Sequence, residues 1–339
     1  MTMYKERTYT RLYLAGLAMV LAGMLAACSS DPSPVGDTGS GLNVLSLTRS
    51  GEPMTVGDDY SPVGMFLVES GAETQSSRFT YKPNETLWRS NLEVVSGHNY
   101  TVYGYAPADA VSAAISGESA AGATMTFSNL PTVSSHDICF VVGVQQLTTI
   151  ADAKAIPLGQ LSFTGRPQDE NFANLLMDHL YASVRFQMSI NSDYAQLRGI
   201  RVKKMELKTS KSTASATVVL ATNTTGASPV QSVSYSSLAG TERTATFFES
   251  TEGQQLDATV LTEAMCCFVP ELSHQLTLVT TYDVYDRYDH KISERTATNK
   301  LPNLNAQRGE RVTIQLNINP TYLGTLSDPD LDNPAVVVN

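Results

Sequence analysis

"LYASVRFQMSI", Leu180 to Ile190, alternates without a break: Leu180, Ala182, Val184, Phe186, Met188 and Ile190 share one face, and Tyr181, Ser183, Arg185, Gln187 and Ser189 the other. Successive side chains of a strand point to opposite faces, so the stretch reads as a half-buried strand of an antiparallel sheet. The same period returns in "RVTIQLNI" through Val312, Ile314, Leu316 and Ile318, and in "QLTLVTTYDV" through Leu276, Leu278, Tyr282 and Val284. In "IRVKKMEL" the apolar phase switches from Ile200 and Val202 to Met205 and Leu207 across Lys203 and Lys204, which predicts a β-bulge there.

Outward from these runs the chain reads as strands with almost no helix. Further candidates are "VGMFLV" from Val63, "YTVYGYA" from Tyr100, "TMTFSNL" from Thr124, "ICFVVGV" from Ile138, "LGQLSF" from Leu158, "TATFFES" from Thr244 and "MCCFVP" from Met265. Turn-rich segments separate them, predicting an all-β protein of two β-sandwiches. Glycine, proline and charges in "FTGRPQDEN", Phe163 to Asn171, place the boundary near residue 165. "AVSAAISGESAAGA" and "ATNTTGASP" read as loops. The expected organisation is a leader over 1–27, a tether over 28–41, sandwiches over 42–165 and 166–320, and a tail over 321–339.

The leader has its own signature. Lys5, Arg7 and Arg11 precede an apolar run, Leu12 to Ala27, ending in "LAAC". Sixteen residues are short for a membrane span, which takes about 20. The pattern is that of a lipoprotein signal peptide cut before Cys28. Once diacylated, Cys28 carries two acyl chains, enough for stable anchoring in an outer membrane without a spanning segment. "SSDPSPVGDTGSG", Ser29 to Gly41, cannot pack a core and serves as a flexible tether.

Composition excludes some partners. Hydrophobic residues make up 42% and charged ones 17%, with a net charge of −10 and no basic stripe, which argues against nucleic acid and against adsorption to anionic head groups. Beyond Cys28 the cysteines are Cys139, Cys266 and Cys267, an odd number. Neighbours on a strand face opposite ways, so at most one of Cys266 and Cys267 can share a core with Cys139. A disulfide or three small buried hydrophobes both fit an exported protein.

No motif supports an enzyme, and no cofactor or metal site is expected. "GESAAG", Gly117 to Gly122, is one residue too long for a nucleophile elbow. His98, His136, His179, His274 and His290 are dispersed and read as surface or turn residues. Asp328, Asp330 and Asp332 alternate like a calcium loop, but Asn333 and Asn339 stand where glycine and glutamate belong. "YDVYDRYDH" reads as strand, turn, strand.

A lipobox followed by "SPVGMFLV", "NLEVVSGHNYTVYGYAP" and "HDICFVV" resembles the first domain of the fimbrillins, the type V pilins. "LLMDHLYASVRFQMSI", "YAQLRGIRVKKMELKT", "CCFVP" and "QRGERVTIQLNI" are similar to the second. The resemblance implies two transthyretin-like sandwiches, export as a lipoprotein, removal of an N-terminal strand by an arginine-specific protease, and assembly with other pilus subunits by donor-strand exchange. It makes the chain a structural or adhesive subunit at the cell surface. Arg49, ending "LNVLSLTR", is the first basic residue after Cys28, and cleavage between Arg49 and Ser50 frees the chain from its lipid. The alternation of Leu42, Val44, Leu45 and Leu47 is imperfect for such a plug, and an exposed arginine after an ordinary first strand fits equally. "PAVVVN" supplies a candidate donor in Ala335, Val336, Val337 and Val338, or else the last strand of the second sandwich. The alternative function is a monomeric surface lipoprotein that binds glycan or a host ligand without polymerising.

Overall fold

The computed structural model describes residues 40–49, 61–147, 156–167, 171–222, 224, 226–259, 262–301, 304–322 and 329–338. The leader, most of the tether, Cys28 and Ser50 lie outside them. Among the described residues the chain is nearly all strand, numbered β1 to β21 in order. The helical elements are one four-residue turn, α1 (Ser192–Ala195), and the 3-10 segment Pro270–Gln275. Asn191 starts α1 by accepting the Asp193 and Tyr194 amides, at 3.0 and 3.1 Å.

Four sheets carry the fold. The largest runs β10 (Ser162–Thr164), β5 (Asn99–Ala106), β2 (Val63–Glu69), β3 (Gln75–Lys82), β4 (Leu87–Val94), β1 (Ser40–Arg49), β11 (Phe172–His179), β9 (Cys139–Leu147). Two residue pairs, Tyr105 with Phe140 and Ala106 with Cys139, join β5 back to β9 and close the circuit. Against it packs the sheet β15 (Val230–Ala239), β14 (Thr213–Ala221), β7 (Gly122–Pro131), β6 (Ala113–Ser119). Leu42, Met65, Phe79 and Val141 from the first sheet meet Met125, Phe127, Ala216 and Val218 from the other in one buried cluster.

The second core lies between β21 (Pro329–Val338), β20 (Arg311–Tyr322), β12 (Ala182–Ile190), β17 (Thr262–Phe268), β8 (Val133–Ser134) and the sheet β16 (Arg243–Gln255), β13 (Arg198–Thr209), β18 (Leu276–Asp286), β19 (Lys291–Leu301). Val184, Phe186, Met188 and Ile190 fill it from β12, as their alternation predicts. The bulge expected at Lys203 is present: the pairing of β13 slips between Val202 and Lys204 against both neighbours, which keeps Val202, Met205 and Leu207 all fully buried.

The division at residue 165 does not match the cores. The break at 163–171 falls between two strands of one sheet, β10 and β11, and the chain crosses to the second core only between Tyr181 and Ala182. The two sandwiches also trade strands. The hairpin of β14 and β15 completes the first core, with Ala214, Ala216, Val218 and Leu220 buried there, while Val133 of β8 is buried in the second. Two local readings change as well. "AVSAAISGESAAGA" holds strand β6, whose small side chains fill a sheet edge with little apolar signal. In "LGQLSF" the strand is only Ser162–Thr164, because Gly159, at φ +80°, turns the chain first.

Candidate functional site

Strand β1 is the first described segment of the chain, and it lies inside a sheet. It runs parallel to β11 on one side, from Asn43 opposite Phe172 to Arg49 opposite Met177. On the other side it runs antiparallel to β4, from Ser40 opposite Val94 to Val44 opposite Trp88. The imperfect alternation of its sequence has a structural cause. The register against β11 slips between Val44 and Ser46, so Leu45 is the extra residue of a bulge. Leu42 and Val44 are fully buried before it, and Leu47 packs against the same core after it.

The neighbours of β1 form a ready-made slot. Trp88, Leu92 and Val94 of β4 and Ala173, Leu175 and Met177 of β11 are all buried in the core that receives Leu42 and Val44. Trp88 is fixed by its indole N–H, which donates to the Ser61 carbonyl at 2.9 Å. The Ser90 hydroxyl donates to the Leu42 carbonyl at 3.0 Å, and the Asn43 amide donates to the Asn171 carbonyl at 2.9 Å. Burying Leu42 and Val44 stabilises the docked strand by about 3–6 kcal/mol, taking about 1.5–3 kcal/mol per fully buried aliphatic side chain. Without β1, β4 and β11 would each show a row of unpaired backbone groups beside an apolar trough, the arrangement that recruits another strand.

Arg49 is the last residue of β1. Of the sequence-predicted site residues, Cys28 and Ser50 lie outside the described residues. Ala335, Val336, Val337 and Val338 form the end of β21, antiparallel to β20 with Ala335 opposite Asn319 and Val338 opposite Leu316. The tail is thus the edge strand of the second sandwich, with β20 as its pairing neighbour and Val336 buried. Asn299 adds one hydrogen bond, from its side-chain amide to the Val336 carbonyl at 3.0 Å.

Other singled-out segments resolve into local structure. "GESAAG" is a hairpin turn between β6 and β7, where Ser119 accepts the Ala121 amide and donates to the Gly122 carbonyl. "YDVYDRYDH" is the β18–β19 hairpin, its turn held by Asp286 accepting the Tyr288 and His290 amides at 2.8 and 2.9 Å. Those bonds, with that of the His290 ring, hold the Asp286 carboxyl below its ordinary value. Asp330, Asp332 and Asn333 lie in β21, while Asp328 and Asn339 lie outside the described residues.

Histidine gives one correction. His98 and His290 are exposed beside Glu69 and Asp286, and His274 is exposed. His179 is buried, its Nδ1 lying 2.7 Å from Asp137 Oδ2 and 3.7 Å from the Cys139 sulfur. Sequence reasoning missed this grouping because residues 40 apart in the chain meet only through the pairing of β9 with β11. The visible trace is "DIC", Asp137 to Cys139, whose ends share one strand face. Cys139 and Cys267 are buried in the first core and Cys266 in the second, none of them in a disulfide. No helix among the described residues is long and apolar enough to cross a membrane.

No protein-family model matches the chain, and no curated protein does. Solved structures do. A protein assigned to cell adhesion from Bacteroides fragilis matches with 9% identity and a TM-score of 0.42, covering 89% of this chain and 97% of its own. A fimbrial protein from Bacteroides vulgatus matches at 10% and 0.34, covering 87% and 98%. The fimbrial anchor protein Mfa2 from Porphyromonas gingivalis matches at 10% and 0.31, covering 89% and 97%. The chain is thus similar, along most of its length, to fimbrial and cell-adhesion proteins of Bacteroides and Porphyromonas.

Proposed function

We propose that the protein is a fimbrial subunit of the cell surface, exported as an outer-membrane lipoprotein through Cys28 and assembled by strand exchange after cleavage at Arg49. The observation that carries this reading is the place of β1, an interior strand between β4 and β11 that ends at the first arginine after the lipidation site. Cutting after Arg49 separates β1 and its lipid from the rest of the chain. The trough it leaves accepts a strand from a neighbouring subunit, with main-chain hydrogen bonds giving affinity and buried side chains giving register. Donor and acceptor patches differ, so the contact is head-to-tail and propagates. The candidate donor is the end of β21, where Val336 and Val338 repeat the i, i+2 spacing of Leu42 and Val44. Pro334 lies just outside that segment, at an edge position where its missing N–H does no harm. Nothing in this reading calls for catalysis.

The test is a soluble Cys28→Ala chain beginning at residue 28, treated with an arginine-specific protease. A new N-terminus at Ser50 with concentration-dependent ladders supports the reading. Resistance at Arg49, or cleavage without assembly, leaves a monomeric ligand-binding lipoprotein in its place.

A further inference from the structure

The buried group of Asp137, Cys139 and His179 serves no purpose in strand exchange. Cys139 and His179 are direct cross-strand partners, opening β9 and closing β11. Asp137 precedes Cys139 by two residues, and its Oδ2 lies 3.1 Å from the Cys139 sulfur and 2.7 Å from His179 Nδ1. All three side chains are buried, and the sulfur, the ring nitrogen and the carboxylate oxygen lie within 4.8 Å of one another.

We propose that these three residues bind a single zinc ion, acquired as the chain folds. The donor set is chemically specific. One thiolate, one carboxylate and one neutral imidazole, with a water as the fourth donor, suit a tetrahedral zinc, with bonds of about 2.3 Å to sulfur and about 2.0–2.2 Å to nitrogen and oxygen. Those lengths place ligand atoms roughly 3.3–3.6 Å apart around a tetrahedron. The observed edges are 2.7, 3.1 and 3.7 Å, so the Asp137–His179 edge opens by about 0.6 Å and the Asp137–Cys139 edge by less, while the Cys139–His179 edge already has the needed length. Charge also favours it. A divalent cation with a thiolate, a carboxylate and a neutral ring is electrically neutral, which removes the main cost of placing ions in a core. On binding, Cys139 gives up its S–H proton to solvent and His179 passes from the Nδ1–H tautomer to the Nε2–H tautomer, so that the sulfur, Nδ1 and Asp137 Oδ2 each offer a lone pair.

The surroundings hold the ligands in place. The Arg308 guanidinium donates to the His179 carbonyl at 2.6 Å and to Asp178 Oδ2 at 2.7 Å, and lies over the Phe140 ring. The Leu180 amide donates to the Ile138 carbonyl at 2.7 Å, tying the two ligand strands together beside the cluster. The site therefore sits two residues before the chain leaves the first core, and the ion would pin that crossing. Burial makes folding the natural moment for loading.

The test uses the full mature chain with Cys28→Ala, refolded from denaturant with zinc, with cobalt, or with a chelator. Zinc content per folded chain is read by elemental analysis after extensive dialysis. The expected result is one zinc per chain, a higher melting temperature than the chelator-refolded sample, and a thiolate-to-cobalt charge-transfer band in the cobalt sample. Cys139→Ser and His179→Gln should abolish stoichiometric metal, whereas Cys267→Ala, in the same core, should keep it. If the ligand variants fail to fold, the cobalt band of the parent chain and its retention in Cys267→Ala decide. A parent chain that folds in zinc yet holds none after dialysis, or metal retained by Cys139→Ser, overturns the proposal and leaves a hydrogen-bonded Asp–His–Cys cluster. Neither result bears on processing at Arg49, so this proposal and the strand-exchange reading fail separately.

Discussion

Leu42 and Val44 are two apolar side chains on which the docking of β1 rests, and each is fully buried. Truncating Leu42 to alanine should destabilise the protein by about 2–5 kcal/mol in urea unfolding. It should also speed cleavage at Arg49, since a loosened strand opens more often. Unchanged stability would mean that Leu42 is not anchored in the core. Cys266 makes a separate prediction. Burial pushes its thiol from an ordinary 9.0 up to about 12, and its S–H donates to the Ser134 carbonyl at 3.2 Å. The unfolded chain releases this proton near pH 9 and the folded chain holds it, so the stability it contributes is whole below pH 9 and is lost as pH rises toward 12. Native Cys266 should resist maleimide at pH 8 and react after unfolding, and Cys266→Ala should flatten the fall of stability above pH 9. Residue-scale chemistry was the least legible in the sequence. A buried His179 looks like any other histidine until strand pairing sets Cys139 opposite it.

At the scale of elements, strand periodicity carried most of the information. β12, β18 and β20 follow their alternation, and the bulge at Lys203 shows as a phase change because both sides of β13 feed one core. The bulge at Leu45 was visible too, as broken alternation, but its meaning depended on knowing that β1 has a partner on each side. β6 was hidden because alanine and serine mark an edge strand weakly. The tail offers the matching test. Deleting residues 329–339 removes the edge strand of the second sandwich and the buried Val336, lowering stability by about 2–3 kcal/mol. Under strand exchange the deletion should also abolish polymers while leaving cleavage at Arg49 intact. Polymers of undiminished length would assign the donor to another segment.

At the scale of the whole molecule, the two sandwiches are not separable pieces of chain. Linear reading places a boundary where glycine and proline interrupt the strands, but long-range pairing returns β14 and β15 to the first core after the chain has entered the second. A fragment spanning residues 40–181 lacks the buried face of Ala214, Ala216, Val218 and Leu220, and should show no cooperative thermal transition by near-ultraviolet circular dichroism. A sharp transition would mean that the first sandwich stands without the returning hairpin. The interleaving also bears on assembly. Loss of β1 opens one strand position in a sheet that the opposite layer still supports, which favours an open slot over general unfolding.

If β1 must leave its place for subunits to join, a reversible lock on β1 should block assembly until it is opened. Asn43 and Arg89 face each other across the antiparallel pair of β1 and β4. Such partners have Cα atoms about 4.5–5.5 Å apart, within the range a disulfide spans. In the Cys28→Ala chain carrying Asn43→Cys and Arg89→Cys, oxidation should permit cleavage at Arg49 yet hold β1 in the slot, giving monomers. Adding reductant to the same cleaved sample should release β1 and produce polymers. Equal assembly in the oxidised and reduced samples would contradict the account.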